Sequence, residues 1–143
     1  MAQRVARPIH LVLAWLFVIG LLVQVFLAGM GVFSGTSAFA THRDVGYTLT
    51  LLPILLVVTS LVGRFGRWPA IAAAVMFGQF ILQSILVLQR DSTPAIAALH
   101  PVNGFLMLLI AVWLARGAWR AWQADRGRAV DAVLAGRPES IEG

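Results

Sequence analysis

The sequence predicts an all-α fold, an integral membrane four-helix bundle with both termini in the cytoplasm. Of the 143 residues, 59% are hydrophobic and only 12% are charged, whereas soluble domains carry charge on about a quarter of their residues. The apolar residues form four continuous runs, each long enough to cross a bilayer core of about 30 Å as a helix. The basic residues, all of them arginine, gather at one end of these runs.

The four predicted spans are residues 8–33, 45–63, 70–89 and 100–118, within one domain of residues 1–122. Helices are expected because a segment in lipid must pair its own backbone groups, and the runs do not alternate as strands would. Pro53 predicts a kink in the second span. Residues 123–143 are predicted to form a cytoplasmic tail. Its first part could extend the fourth helix, and residues 137–143 are expected to be disordered.

Arginine placement predicts the orientation. Nine arginines fall before the first span, between the second and third, or from the end of the fourth onward: Arg4, Arg7, Arg64, Arg67, Arg116, Arg120, Arg126, Arg128 and Arg137. The two other loops hold only Arg43 and Arg90. By the positive-inside rule, both termini are cytoplasmic. The expected location is a bacterial inner membrane, and the first apolar run is too long for the core of a cleaved signal.

Several classes of function are excluded or disfavoured. The chain has no cysteine, which excludes disulfides, thiolate metal sites and cysteine nucleophiles. No ionisable residue lies in the central part of a span, which argues against an ion pump or a proton relay. The arginines flank apolar spans, so they indicate membrane topology and not nucleic-acid binding.

Two matching motifs carry the candidate chemistry: HRDVG at residues 42–46 and HPVNG at residues 100–104. In each, a histidine precedes a glycine by four residues, so both lie on one face of a helix. His42 and His100 are expected at the outer ends of two helices, with Gly46 and Gly104 leaving a flat slot beside them. Imidazole is an axial ligand of haem iron, and bundle cores hold such cofactors. The pattern predicts a haem whose iron is bound by His42 and His100.

Arg43 and Arg90 are the expected partners of the two haem carboxylates, because a guanidinium binds a carboxylate in a fork. The alternative is a local pair of each arginine with the next residue, Asp44 or Asp91. Ligand histidines usually need a second hydrogen bond, for which the candidates are Asn103, Tyr47, Thr41 and Ser92.

Other interpretations remain open. The histidines could be residues of the membrane interface with glycines that permit close helix packing, which is also the interpretation of His10. His42, His100 and Asp44 could bind a bare metal ion, although zinc wants three or four protein ligands. Gln24, Gln79 and Gln83 could join helices by hydrogen bonds or line a cofactor site.

The segments FLAGMGVF, HRDVGY and LHPVNG resemble those of a family of small, uncharacterised bacterial four-helix integral membrane proteins, up to about Gly117. More distantly, the chain resembles one half of haem A synthase, which implies haem binding through His42, Arg43, Gly46 and His100. FATHR lacks the acidic residue of the synthase motif and the second half is absent, so haem binding is implied without the synthase reaction. Membrane b-type cytochromes are similar in architecture.

The sequence thus predicts a membrane protein that binds haem b and serves electron transfer or haem handling, an electron carrier or subunit rather than a catalyst. The expected partners are the lipid bilayer and a redox partner or larger membrane complex, with no nucleic acid. The alternatives are a non-catalytic accessory subunit of a membrane complex and a protein with a pocket for a small solute or lipid.

Overall fold

A computed structural model describes residues 1–135, and residues 137–143, for which disorder is predicted, lie outside this range. The described residues form six helical segments: α1 (Ala2–Phe33), α2 (Ala38–Leu49), α3 (Leu51–Val62), α4 (Arg67–Leu88), α5 (Pro94–Ala97) and α6 (Leu99–Ala135). They combine into four helical units, 2–33, 38–62, 67–88 and 94–135, each long and apolar enough to cross a membrane. The predicted all-α four-helix fold is confirmed.

The second unit is interrupted at Thr50, between α2 and α3. Pro53 has no backbone N–H, so the carbonyl of Leu49, four residues earlier, loses its helical partner. At the same place the N–H of Thr50 bonds to the carbonyl of Tyr47, three residues earlier, at 3.2 Å. The interruption therefore falls where the missing hydrogen bond of the proline would have been.

The four units pack in a ring around a shared core. α1 contacts α2, α3 and α6, and α4 contacts α3 and α6. α1 and α4 thus lie on one diagonal of the bundle, while residues 38–62 and α6 lie on the other. The core between them combines large and small buried side chains, among them Phe17, Leu56, Met76, Met107, Ala73, Ala111 and Ala115. The alanines let the helix backbones approach closely.

Many large apolar side chains lie outside this core and are exposed, such as Val25, Phe26 and Leu88. On a water-soluble monomer, apolar surface of this extent would be unusual. It fits four helices that present their outer faces to lipid.

One end of the bundle carries the start of α1, the α3–α4 turn and the part of α6 beyond residue 115, and we call it the basic end. Arg7 joins the three elements there: its Nε donates to the carbonyl oxygen of Gly63 at 3.0 Å, and its Nη1 donates to Asp125 at 2.6 Å. α6 has 37 residues, whereas a helix needs about 20 to span a bilayer core. The segment predicted to extend the fourth helix is therefore helical as far as Ala135.

Candidate cofactor-binding site

His42 and His100 lie together across the bundle. Their ring centroids are 6.1 Å apart and their planes are inclined by 63°. His42 comes from α2 and His100 from α6, which occupy the same diagonal. The structure thus brings the two histidines of the matching motifs into one site, although 58 residues separate them.

Each imidazole is held by a backbone carbonyl of a helix on the other diagonal. The Nδ1 atom of His42 lies 3.0 Å from the carbonyl oxygen of Gln24 in α1. That of His100 lies 3.2 Å from the carbonyl oxygen of Gln83 in α4. A carbonyl oxygen only accepts hydrogen bonds, so both Nδ1 atoms carry the proton. Each Nε2 therefore has the lone pair that binds a metal, and the carbonyl fixes the ring as it does for ligand histidines.

The two glycines of the motifs face the side chains of the same two glutamines. A Cβ atom at Gly46 would lie 2.9 Å from Nε2 of Gln24, and one at Gly104 would lie 3.2 Å from Nε2 of Gln83. The space predicted as a flat slot is thus occupied by a glutamine amide in each half. Glutamine, histidine and glycine therefore form two equivalent units.

The sequence shows Gln24 and Gln83 as polar residues within spans, but their pairing with the histidines was not predicted. The spacing along the chain could have indicated this pairing, because the two histidines follow their glutamines at similar separations of 18 and 17 residues. Asn103, predicted as a partner of an imidazole, instead exchanges hydrogen bonds with Gln79. Its Nδ2 donates to the Gln79 carbonyl oxygen at 3.1 Å, and its Oδ1 accepts from Gln79 Nε2 at 3.2 Å.

Three amide oxygens near this network, Oε1 of Gln24, Gln79 and Gln83, are buried and have no hydrogen-bond partner within residues 1–135. Buried polar atoms without partners are costly. Two of these oxygens belong to Gln24 and Gln83, the residues whose backbone carbonyls hold the two imidazoles.

Arg43 and Arg90 form local ion pairs, which is the alternative interpretation of these residues. Arg43 Nε lies 3.0 Å from Asp44, and Arg90 Nε lies 3.4 Å from Asp91. All four side chains are exposed, and exposed pairs contribute only about 0–1 kcal/mol. A ligand carboxylate can therefore compete with either aspartate.

No group of three histidine, aspartate or glutamate side chains in the described part of the chain is placed to hold a metal ion. His10, interpreted from the sequence as an interface residue, lies at the basic end but is buried, with 1% of its surface exposed. Its Nδ1 lies 2.8 Å from the Thr59 hydroxyl oxygen, and its ring stacks on Phe65. The hydroxyl of Thr59 donates to the carbonyl oxygen of Leu55, so Nδ1 of His10 donates to Thr59.

Comparison with known proteins identifies a family model that matches part of the chain. No curated protein and no solved structure matches the chain. Residues 24–90, which include Gln24, His42, Gly46 and Gln83 but not His100, match the model of DUF6220, a family of unknown function.

Proposed function

We propose that the protein binds a b-type haem between His42 and His100. The observation that carries this proposal is the distance of 6.1 Å between the two ring centroids. With a metal–nitrogen bond of about 2 Å and about 1 Å from Nε2 to the ring centre, two imidazoles on one ion have centroids about 6 Å apart. The spacing therefore suits two axial ligands of one iron.

The donor set favours haem over a bare metal ion. A tetrahedrally coordinated ion requires three or four protein ligands. The described residues contain no group of three histidine, aspartate or glutamate side chains that could supply them. A porphyrin brings four nitrogen ligands of its own and needs only axial ligands from the protein. Two imidazoles with fixed tautomers are enough for that purpose.

Other residues of the site would support the cofactor. Gly46 and Gly104 keep the helices free of Cβ atoms beside the imidazoles, where only flexible glutamine side chains lie. Arg43 and Arg90 would neutralise the two haem carboxylates in place of their local aspartates.

A haem bound in this way would supply reversible one-electron chemistry. Histidine on both faces leaves no open position for oxygen. We therefore assign a role in electron transfer or haem handling, with a membrane redox partner, and not a catalytic role.

We also propose the membrane in which the protein resides and its orientation there. Four spans put both termini on the same side, and nine of the eleven arginines belong to the basic end or the chain beyond it. The positive-inside rule therefore supports a bacterial inner membrane with the basic end in the cytoplasm and the histidine pair near the outer face.

The test is a reduced-minus-oxidised absorption spectrum of the protein in mild detergent, before and after addition of haem. The wild type should show a sharp α band in the reduced state. His42→Ala and His100→Ala should each lose or shift it, because either change removes an axial ligand. His10→Gln is the matched control and should leave the band unchanged, since His10 lies at the other end of the bundle.

A colourless wild type that stays colourless after haem is added would contradict the proposal. It would favour the alternative of a non-catalytic accessory subunit. A band that survives both alanine substitutions would show that the haem is held elsewhere.

A further inference from the structure

We propose a second site, at the basic end, that binds the phosphate group of an anionic ligand. A cavity of about 260 Å³ opens there between the start of α1, the α3–α4 turn and α6. Three arginines line it, Arg7, Arg64 and Arg120, together with buried His10. The site lies at the opposite end from the histidine pair and is independent of the proposed haem.

The backbone of Arg64 is the first argument. The N–H of Arg64 bonds to the carbonyl of Leu61, and the N–H of Phe65 bonds to that of Ser60. These two bonds form a Schellman motif, whose left-handed position normally holds glycine. Here it holds Arg64, with φ of 54°, at a cost of about 1 kcal/mol relative to glycine. Backbone strain of this kind clusters at functional sites, which makes the Arg64 side chain a candidate for a functional role.

The charges around the cavity are the second argument. Arg7 is neutralised by Asp125, which also accepts from Arg128. Arg64 and Arg120 make no ion pair with any residue between 1 and 135. Two uncompensated guanidinium groups therefore border one cavity. Guanidinium groups bind phosphate oxygens through paired, charge-assisted hydrogen bonds.

The rest of the lining indicates the class of ligand. Pro69, Trp113 and Leu114 give the cavity apolar walls. The cavity also lies at the ends of membrane-spanning helices, at the level of lipid headgroups. An amphiphile with a phosphate, such as an anionic phospholipid, matches both parts of the lining, and free phosphate shares only the polar part.

The experiment is native mass spectrometry of the full chain released from detergent with phosphatidylglycerol, phosphatidylcholine or inorganic phosphate. We expect the wild type to retain phosphatidylglycerol in preference to phosphatidylcholine. Arg64→Gly should weaken this retention about tenfold, the effect of one charge-assisted hydrogen bond. Arg120→Gln should weaken it similarly.

Arg64→Gly is a favourable variant because glycine prefers the left-handed conformation, so its thermal unfolding midpoint should equal or exceed that of the wild type. Arg67→Gln is the matched control: it removes one charge from the same turn, but Arg67 stacks on Trp68 and does not line the cavity. It should retain the lipid.

Equal retention of the two lipids by the wild type, without phosphate binding, would overturn the proposal. An equal loss in Arg67→Gln and Arg64→Gly would also overturn it, because it would show a general effect of surface charge. Retention of inorganic phosphate alone, lost in Arg64→Gly, would support the phosphate site and assign the free anion as its ligand.

Discussion

At the scale of single residues, the unusual feature is the contact between a glutamine amide and a glycine in each half of the candidate site. Gly46 and Gly104 have no side chain to occupy the space beside the histidines, and Gln24 and Gln83 fill it. The same glutamines supply the carbonyl oxygens that bind Nδ1 of the two histidines. Any side chain at the glycine positions should therefore disturb the helix pairs that hold the imidazoles.

Gly46→Ala should destabilise the protein by about 1 kcal/mol, because its Cβ would press on Nε2 of Gln24. Gly104→Ala should cost less, because the corresponding distance is larger, 3.2 Å against 2.9 Å. Unfolding in mixed detergent measures both. Combining Gly46→Ala with Gln24→Ala should recover about 0.5 kcal/mol or more relative to the sum of the single changes.

Gly29→Ala is the control for this series. Gly29 lies in α1, the helix that carries Gln24, but a Cβ atom there would meet nothing within 4 Å, so its substitution should be close to neutral. If Gly29→Ala is as damaging as Gly46→Ala, the loss reflects glycine in a membrane helix in general, and the specific contact with Gln24 is refuted.

At the scale of the elements, the long α6 is tied to α1 by one ion pair beyond the predicted fourth span. Nη1 of Arg7 lies 2.6 and 2.7 Å from the two carboxylate oxygens of Asp125. The hydrogen bond from Arg7 is the main reason that the pKa of Asp125 lies below its ordinary value of 3.8. Because the folded state lowers this pKa, the pair stabilises the fold at neutral pH, and the contribution is lost as the carboxylate becomes protonated.

Asp125→Asn should therefore lower the free energy of unfolding at pH 7 by about 1 kcal/mol, as expected for a partly exposed pair. The wild type should lose a similar amount as the pH falls below about 4, whereas the variant should lose less over that range. Chemical unfolding in detergent at several pH values measures both effects.

Asp91→Asn is the matched control, because Asp91 pairs with Arg90 at a site where 85% of its side chain is exposed. Its stability should stay within about 0.5 kcal/mol of the wild type. Parallel pH curves for the wild type and Asp125→Asn would show that the pair with Arg7 contributes nothing.

At the scale of the whole molecule, apolar runs were sufficient to predict four helices, because a bilayer imposes one length and one backbone form. The partnership of His42 and His100 could be proposed from their matching motifs, but the distance between them depends on which helices share a diagonal. The order of the helices around a bundle depends on packing among many apolar residues, so it cannot be predicted from hydropathy. For the same reason, the backbone carbonyls of Gln24 and Gln83 could not be identified as the partners of the imidazoles.

Contacts within the bundle do not determine which end of the molecule faces the cytoplasm. Because the chain has no cysteine, single introduced cysteines can measure this orientation directly. Asp91→Cys places a thiol in the exposed α4–α5 loop, and Gly127→Cys places one in the exposed part of α6. With the basic end in the cytoplasm, a membrane-impermeant maleimide should label Asp91→Cys in right-side-out spheroplasts and Gly127→Cys only in inverted vesicles. The reverse pattern would put the histidine pair near the cytoplasmic face, and equal labelling of both variants in spheroplasts would contradict a single orientation. Because the histidine pair and the cavity at the basic end lie at opposite ends of the bundle, this experiment also decides which compartment the proposed haem and the proposed phosphate ligand would each face.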